Sequence, residues 1–481
     1  GTHGGVRGRR LITASYSILR RKKMNTANYL AEEKISKLML KFSVPCIMSL
    51  LVSSLYNIVD QIFIGHGVGY LGNGATNVVF PITVIALAIA LMIGDVCAAH
   101  LSLCLGRGKK EEAEKSAGTA ITVSILAGVV MMVLFLAFTE LILSMFGVTE
   151  NNIAYAREYF RVIAIGIPFY VFTNAMNSII RADGSPKLAM FSTLIGCIIN
   201  CILDPIAIFV LHWGMFGAAL ATILGQIVTA LLAAWYMMHC KSFRLHIKHL
   251  FSGFSVVLKY LPLGFSSFLT QVSIVITMGV MNNALVHYGA ASEYGADIPL
   301  TVFGIVMKVF QIAISFAIGI AAGSQPIVGF NYGAKHFDRV KEINKTMVKA
   351  ELVIGVIAML AFELFPMPII SIFGSESDLY NQFAVFTFRV YLSTIILCCI
   401  QKATSVFLQS LGKTVASFAL SLTRDIVVNI GVVLILPRYI GLTGTLLSAP
   451  IADIVSFVLV VFMMRNVFHS FEMETENKCI Q

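Results

Sequence analysis

The chain has 481 residues, of which 57% are hydrophobic and only 12% are charged. Soluble proteins carry about 25% charged residues, so this composition excludes an ordinary soluble domain and predicts a polytopic membrane protein. The net charge of +10 does not indicate a nucleic-acid partner, because much of it comes from the Arg- and Lys-rich residues 1–23.

Residues 1–23 are set apart from the rest of the chain. No apolar signal-peptide core follows their basic residues, and Met24 is a more plausible start. We therefore interpret 1–23 as a non-native or mis-called extension. The nine cysteines fall mostly inside apolar stretches and predict neither a disulfide framework nor a zinc site.

Apolar windows of about 20 residues predict twelve transmembrane helices. They are expected at 36–64, 77–104, 118–146, 160–180, 188–211, 216–239, 255–287, 298–323, 347–372, 383–410, 414–436 and 442–465. The predicted fold class is therefore an all-α polytopic membrane protein.

We expect these helices to cross the cell membrane (inner or plasma membrane). The basic residues predict their orientation. Of the 35 Lys and Arg residues, only Arg157 and Arg438 fall in loops on one side. The excess of basic residues on the other side places both termini in the cytoplasm.

Three pairs of glycines indicate an internal repeat. Gly106 matches Gly333, Gly184 matches Gly412 and Gly214 matches Gly441, and the separation along the chain is nearly the same in all three pairs. Pro45 and Pro262 also pair, although their shorter separation requires an insertion or deletion of about ten residues between the halves. Six helices per repeat let both halves enter from the same side, which predicts two pseudo-symmetric six-helix bundles related by an axis along the membrane normal. The predicted units are a first bundle at 24–239, a cytoplasmic linker at 240–254, a second bundle at 255–465 and a cytoplasmic tail at 466–481.

Asp60 and Asp204 are carboxylates inside predicted spans. An ionised group at bilayer depth costs at least ~2.5 kcal/mol, so each needs a partner or a task. The task that we favour is binding a proton or a metal cation on a transport path. The alternative is a helix–helix hydrogen bond made by a protonated acid.

The sequence around Asp204 suits a cation. Asn200 and Asp204 are four residues apart and share one face of a helix. Pro205 removes the hydrogen bond to the carbonyl of Cys201, which frees an oxygen for a hard cation such as Na⁺. The same carboxylates can instead share a proton, and the sequence does not separate Na⁺ from H⁺.

Several other polar residues lie inside the predicted spans. Asp95 is either part of a substrate cavity or a cross-helix hydrogen-bond partner. Arg424 and Asp453 lie at similar depth and predict a structural ion pair. The remaining tentative substrate-cavity residues are Tyr56, Asn174 and Asn177.

The motifs in their order resemble the multidrug and toxic compound extrusion (MATE) family over residues 24–465. They are Pro45, Val59-Asp60, Leu105-Gly106, Arg181-Ala-Asp-Gly-Ser-Pro186, Asn200-Cys-Ile-Leu-Asp204-Pro205, Gly214-Met-Phe-Gly-Ala-Ala-Leu-Ala-Thr222 and Gln325-Pro-Ile-Val-Gly-Phe-Asn-Tyr-Gly-Ala334.

The resemblance implies a fold and a site. The fold is two six-helix bundles around a cavity that opens alternately to either side. The cation-coupling site falls on Asp60, Asn200, Asp204, Thr222 and the backbone of Ala218, and with Na⁺ as the coupling ion the first four would bind it. The acidic ligands that some members carry on the seventh helix are absent here, where Gln271, Asn282 and Asn283 stand instead. Pro45 is expected to act as a hinge in the first helix.

These observations favour a secondary antiporter that exports amphipathic or cationic drugs in exchange for Na⁺ or H⁺. The expected partners are small-molecule drugs or organic cations and the lipid bilayer, with a monomeric chain and no resident cofactor. The alternative is a lipid-linked oligosaccharide flippase of the same superfamily, for which a basic cavity is expected. A membrane enzyme is disfavoured by the lack of a clustered catalytic motif, and the lack of a phosphate-binding loop argues against ATP as the energy source.

Overall fold

The computed structural model describes residues 30–146, 153–246, 248–249, 254–295, 297–373 and 378–480. Within these ranges the regular structure is helical and contains no β-strand. The predicted extension at 1–23 lies outside the described residues, as do parts of the linker at 240–254.

The first half of the chain forms six long helices. They are α1 (Ile35–Gly67), α2 (Tyr70–Gly106), α3 (Lys110–Ala137), α4 (Ile153–Ala182), α5 (Pro186–Pro205) and α6 (Gly214–Met237). A short helix, Thr139–Met145, follows α3, and a π-helical turn, Ile206–Val210, continues α5.

The second half repeats this order with more interruptions. Its helices are α7 (Phe254–Ala290), α8 (Asp297–Gly333), α9 (Phe337–Leu364), α10 in two segments (Asp378–Tyr391 and Ile395–Ser410), α11 (Val415–Ile440) and α12 (Ser448–Ile480). A π-helical turn, Thr423–Val428, interrupts α11, and a short helix, Leu442–Leu446, precedes α12.

Ten described helices are long and apolar enough to cross a membrane, and two bent pairs raise the number to twelve. One pair joins α9 to Pro366–Phe373 through an 83° bend, where prolines cannot continue the backbone ladder. The other is α10, whose two segments meet at 47°. The prediction of twelve spans is confirmed at this upper count.

The outer surface of the bundle is apolar. On α3, Val130 and Val133 are 48% and 55% exposed, and on α12 Phe462 is 64% exposed. A soluble protein would not leave such a belt in water, whereas lipid chains solvate it.

The paired glycines occupy the same conformations in the two halves. Gly184 and Gly412 have φ of 81° and 75°, and Gly214 and Gly441 have φ of 53° and 60°. Only glycine adopts this region at no steric cost, so both halves build the same turns at the same points. The internal repeat is therefore present in the backbone as well as in the sequence.

The two halves touch through reciprocal contacts between α2 and α8. A Cβ atom added to Gly106 would lie within 3.0 Å of the carbonyl oxygen of Phe330. One added to Gly333 would lie equally close to the carbonyl oxygen of Leu103. The internal repeat matches Leu103 with Phe330 just as it matches Gly106 with Gly333, so one contact is the symmetry mate of the other.

Two further glycine contacts flank this pair. Gly319 of α8 packs against Ile47 of α1, and Gly264 of α7 packs against Met92 of α2. All these contacts lie toward the helix ends that adjoin the Lys- and Arg-rich loops, which we term the inner ends.

Polar residues are exposed farther along the same helices, toward the outer ends. Asn57 of α1, Asn283 of α7, and Lys308 and Gln311 of α8 are all exposed. A charged side chain inside a span faces either the protein interior or a water-filled space rather than lipid. Lys308 is therefore expected to face water or protein rather than lipid, on the side away from the close contacts of the two halves.

Candidate cation site

The predicted site residues come together in the first bundle. Asp60 lies on α1, Asn200 and Asp204 on α5, and Thr222 on α6, and α5 packs against both α1 and α6. Asp60 and Asp204 are 8% and 0% exposed. Three helices thus bury two carboxyl groups side by side.

The polar groups around Asp204 form a chain of hydrogen bonds. The Asn200 amide donates to Asp204 Oδ1 at 3.3 Å and to Thr222 Oγ1 at 3.1 Å. The Thr222 hydroxyl donates to the carbonyl oxygen of Ala218 at 3.1 Å. This arrangement contains four of the five positions that the family resemblance implied, and Asp60 lies beside it.

Several buried oxygens of the site lack a donor. Among the described residues, Asp60 Oδ1, Asp204 Oδ2 and Asn200 Oδ1 have no hydrogen-bond donor. The Asp60 and Asp204 carboxyls lie within hydrogen-bonding reach of each other, a bond that exists only when one of them is protonated. The oxygens fit a hard cation as ligands, and the carboxyl pair fits a shared proton.

Pro205 distorts α5 as its sequence position predicts. The α-helix ends at Pro205 and continues as the π-helical turn Ile206–Val210, in which the Leu211 N–H donates to the carbonyl of Ile206 at 2.9 Å. Such π-turns are frequent at functional sites. The backbone next to Asp204 is therefore irregular.

A cavity of about 120 Å³ adjoins the site. Tyr56, Asn174 and Asn177 line it together with Asn200 and Thr222. Pockets for drug-sized molecules are several times larger, so this chamber suits an ion with water. The tentative cavity residues Tyr56, Asn174 and Asn177 thus share a chamber with the cation site.

Asp95 is not among the residues that line this chamber. Its Oδ1 accepts a hydrogen bond from Ser178 at 2.9 Å, and its Oδ2 accepts one from Ser267 of the other half at 2.9 Å. Gln409 donates in turn to Ser267 at 3.0 Å. Of the two interpretations left open by the sequence, the structure shows the cross-helix hydrogen bonds.

Buried charges also meet in the second bundle. Arg424 Nε contacts Asp453 Oδ1 at 2.8 Å, which confirms the predicted pair. Lys402 Nζ contacts Asp425 Oδ2 at 2.8 Å, and Arg424 also contacts Asp425. This group of two cations and two anions, which we term the charge quartet, has no net charge.

Two further buried acids were not predicted from the sequence. Asp183, in the turn after α4, accepts hydrogen bonds from Tyr236 and from the backbone N–H groups of Lys241 and Ser242 at 2.6, 2.7 and 2.9 Å. Burial raises the pKa of this carboxyl, and those hydrogen bonds oppose the rise. Asp183 thereby fixes the start of the linker between the bundles.

The second acid is Glu351 of α9. Its side chain is fully buried, and neither carboxyl oxygen has a donor among the described residues. Glu351 lies in an apolar stretch, as Asp60 and Asp204 do, so the same sequence criterion could have identified it.

Two clusters near the inner ends have metal-ligand chemistry. His100, Cys104 and Glu112 bring their ligand atoms within 4.8 Å of one another, as do Glu114, His246 and His249 in a second cluster. In the first, Glu112 is also paired with Lys109 at 2.9 Å.

Pro45 lies within a continuous α1 and is buried. Its carbonyl accepts a hydrogen bond from the Ser49 hydroxyl at 2.9 Å. Its role as a hinge stays a prediction.

The fold and the buried polar site define a multi-pass helical membrane protein built from two equivalent bundles. The MatE family model matches residues 45–206 and 262–435, one segment in each bundle. The chain therefore belongs to the MatE family.

Similar proteins span nearly the whole chain. "Multidrug export protein MepA" of Staphylococcus aureus (strain MSSA476) is 24% identical over 91% of this chain and 96% of its own length. The protein of the same name from Staphylococcus haemolyticus (strain JCSC1435) is 25% identical over 91% of this chain and 94% of its own.

Solved structures agree in fold. A structure described as the outward-facing conformation of a multidrug resistance MATE family transporter of the MOP superfamily gives a TM-score of 0.85 at 23% identity, covering 92% of this chain and 98% of that one. One described as MATE in the bent conformation gives 0.86 at 23% identity, covering 94% and 100%.

Proposed function

We propose that this protein is a secondary multidrug antiporter that exports amphipathic or cationic organic compounds in exchange for Na⁺ or H⁺. The observation that carries the proposal is the buried carboxyl pair of Asp60 and Asp204, in which Asp60 Oδ1 and Asp204 Oδ2 have no hydrogen-bond donor among the described residues. Two buried carboxyls side by side need a proton or a cation between them, because two ionised groups there would repel each other. Multidrug export in the named relatives supports the substrate class.

The two carboxyls can couple the flow of the ion to the export of the drug, because their total charge changes when the ion binds or leaves. A bound cation or proton removes one of the two negative charges of the pair, and the helices α1, α5 and α6 can then pack closely around it. Without one, two like charges face each other in a site that excludes water, which costs free energy. Binding and release would therefore favour different packings of the first bundle, as alternating access requires.

We infer that the ion and the drug occupy different spaces, because the two differ in size. The 120 Å³ chamber is large enough for an ion with water. We place the larger compounds between the bundles, near exposed polar residues such as Asn57 and Gln311.

The test compares two acid-to-amide variants in proteoliposomes. Asp204→Asn is expected to abolish drug counterflow driven by an imposed Na⁺ or H⁺ gradient, because the site keeps only one of its two carboxylates. Glu351→Gln, which removes another buried carboxyl in the other bundle, is expected to retain it. A dye for internal pH and a tracer for Na⁺ identify the ion that moves with the drug.

Coupled export at the parental rate by Asp204→Asn, at equal amounts of folded protein, would refute the site. Loss of coupling in both variants would extend the coupling machinery to α9.

A further inference from the structure

A groove of about 550 Å³ lies between the start of α9 and the end of α12. Lys341, Asn344, Lys345 and Lys349 line it from α9, and Phe468 and Glu472 line it from α12. It lies in the second bundle and shares no residue with the cation site.

The groove is positively charged. Its three lysines recur every four residues and so share one face of α9. Lys341 Nζ contacts Glu472 Oε1 at 3.0 Å. Lys345 and Lys349 are exposed and have no ion-pair partner among the described residues. Two positive charges therefore remain for a ligand.

Asn344 provides a second indication, besides the lysines, that the groove binds a ligand. Its side chain is only 8% exposed, and its Oδ1 has no hydrogen-bond partner among the described residues. A buried unpaired amide is costly, so a ligand group that pairs with it is stabilised. The amide can accept from a hydroxyl or, after rotation, donate to a phosphate oxygen.

The lysine face continues directly into the lipid-facing surface. One and two turns after Lys349, Val353 and Ile357 are 55% and 62% exposed. On α12, Phe462 is 64% exposed, between one and two turns before Phe468. The charged groove therefore lies at the level where headgroups meet hydrocarbon, with apolar surface below it.

We propose that this groove binds the headgroup of an anionic phospholipid. The phosphate contacts Lys345 and Lys349, the polar headgroup reaches Asn344, and the acyl chains lie along Val353, Ile357 and Phe462. Basic pockets of this kind at the inner membrane face are suited to anionic headgroups. A soluble acidic ligand would contact only the charged groove and not the apolar surface next to it, whereas a phospholipid would contact both.

The test measures lipid binding by the purified full-length chain in neutral detergent. The probe is radiolabelled phosphatidylglycerol, compared with phosphatidylcholine of the same acyl chains. The double variant Lys345→Gln/Lys349→Gln removes both unpaired charges. A matched control, Lys187→Gln/Lys335→Gln, removes two exposed charges outside the groove.

We expect the groove variant to bind phosphatidylglycerol roughly 25-fold more weakly, at about fivefold per lysine. The control variant and the parent should bind it alike, and phosphatidylcholine should bind weakly to all three. Thermal unfolding curves verify that both variants are folded.

Three results would overturn the proposal. The first is equal loss of binding in the groove and control variants, and the second is equal affinity of the parent for the two lipids. The third is displacement of the lipid by millimolar inorganic phosphate or by a short polyglutamate peptide, because either would identify a soluble anion as the ligand.

Discussion

Substitution of the glycines in the reciprocal contacts between α2 and α8 tests how closely the two bundles must approach each other. Gly106→Ala would place a methyl group within 3.0 Å of the Phe330 carbonyl, where real Cβ atoms are essentially never found. The clashing atom belongs to the backbone of α8 and cannot rotate away as the end of a side chain could. The two helices must therefore separate. Gly333→Ala does the same against Leu103, and symmetry predicts the same effect.

The size of the effect follows from the packing. Inserting a methyl group into a close-packed contact costs typically about 1–3 kcal/mol. If that cost falls only on the state with touching inner ends, the equilibrium shifts by about 5- to 150-fold toward the separated state. Gly431→Ala is the control, since nothing lies within 4 Å of a Cβ added there.

The assay is a distance measurement across the inner side. Spin labels at Glu111→Cys and Asp338→Cys, positions that the internal repeat makes equivalent, report the separation of the bundles on a background without other cysteines. We expect Gly106→Ala and Gly333→Ala to increase the longer-distance population and Gly431→Ala to leave it unchanged. Identical distance distributions in Gly106→Ala and Gly431→Ala would refute the reasoning.

Three further predictions test other parts of the molecule. Pro45→Ala should slow efflux more than it weakens drug binding, because a hinge governs interconversion, and a normal rate over the whole pH range would contradict this. Single cysteines at His246→Cys and Ala291→Cys should react with an impermeant maleimide in intact cells only at position 291, and the reverse pattern would overturn the topology. Arg424→Gln should destabilise the chain by roughly 3–5 kcal/mol by leaving buried carboxylates uncompensated, and Arg424→Gln/Asp453→Asn should recover part of the thermal stability. An equal loss in single and double variants would contradict the pairing.

The sequence predicts those features that depend on local signals. Long apolar windows located all twelve spans, and glycines such as Gly184 and Gly412 marked turns that only glycine readily forms. Asp60 and Asp204 were found because an acid in an apolar stretch is costly wherever it lies.

Features set by distant packing could not be predicted in the same way. The hydrogen bonds of Asp183 come from residues of another helix and of the linker, far along the chain. The alternatives for Asp95 were separated only when Ser267 of the other bundle was placed beside it. The Arg424–Asp453 pair was predicted from depth alone, whereas the contact of Lys402 with Asp425 depends on how α10 bends.

The internal repeat also shows why the second bundle has no counterpart of the candidate cation site at the equivalent described positions. Lys402, Arg424 and Asp453 of the charge quartet occupy the positions that the internal repeat matches to Asn174, Cys197 and Gln226. Those three residues of the first bundle all line the chamber beside Asp204.

The second bundle therefore places its own charged side chains where the first keeps a polar chamber. Asp453 is satisfied by Arg424 and by the Thr394 hydroxyl, and Asp425 by Lys402 and Arg424. No carboxylate of the quartet needs a mobile cation, whereas Asp60 and Asp204 retain oxygens without donors among the described residues. Because Lys and Arg are tethered and cannot be exchanged, the quartet keeps one charge state while the Asp60–Asp204 pair can change its own. Under the proposed function, an exchangeable ion would therefore act at the Asp60–Asp204 pair of the first bundle, and the charge quartet of the second bundle would keep its charge throughout.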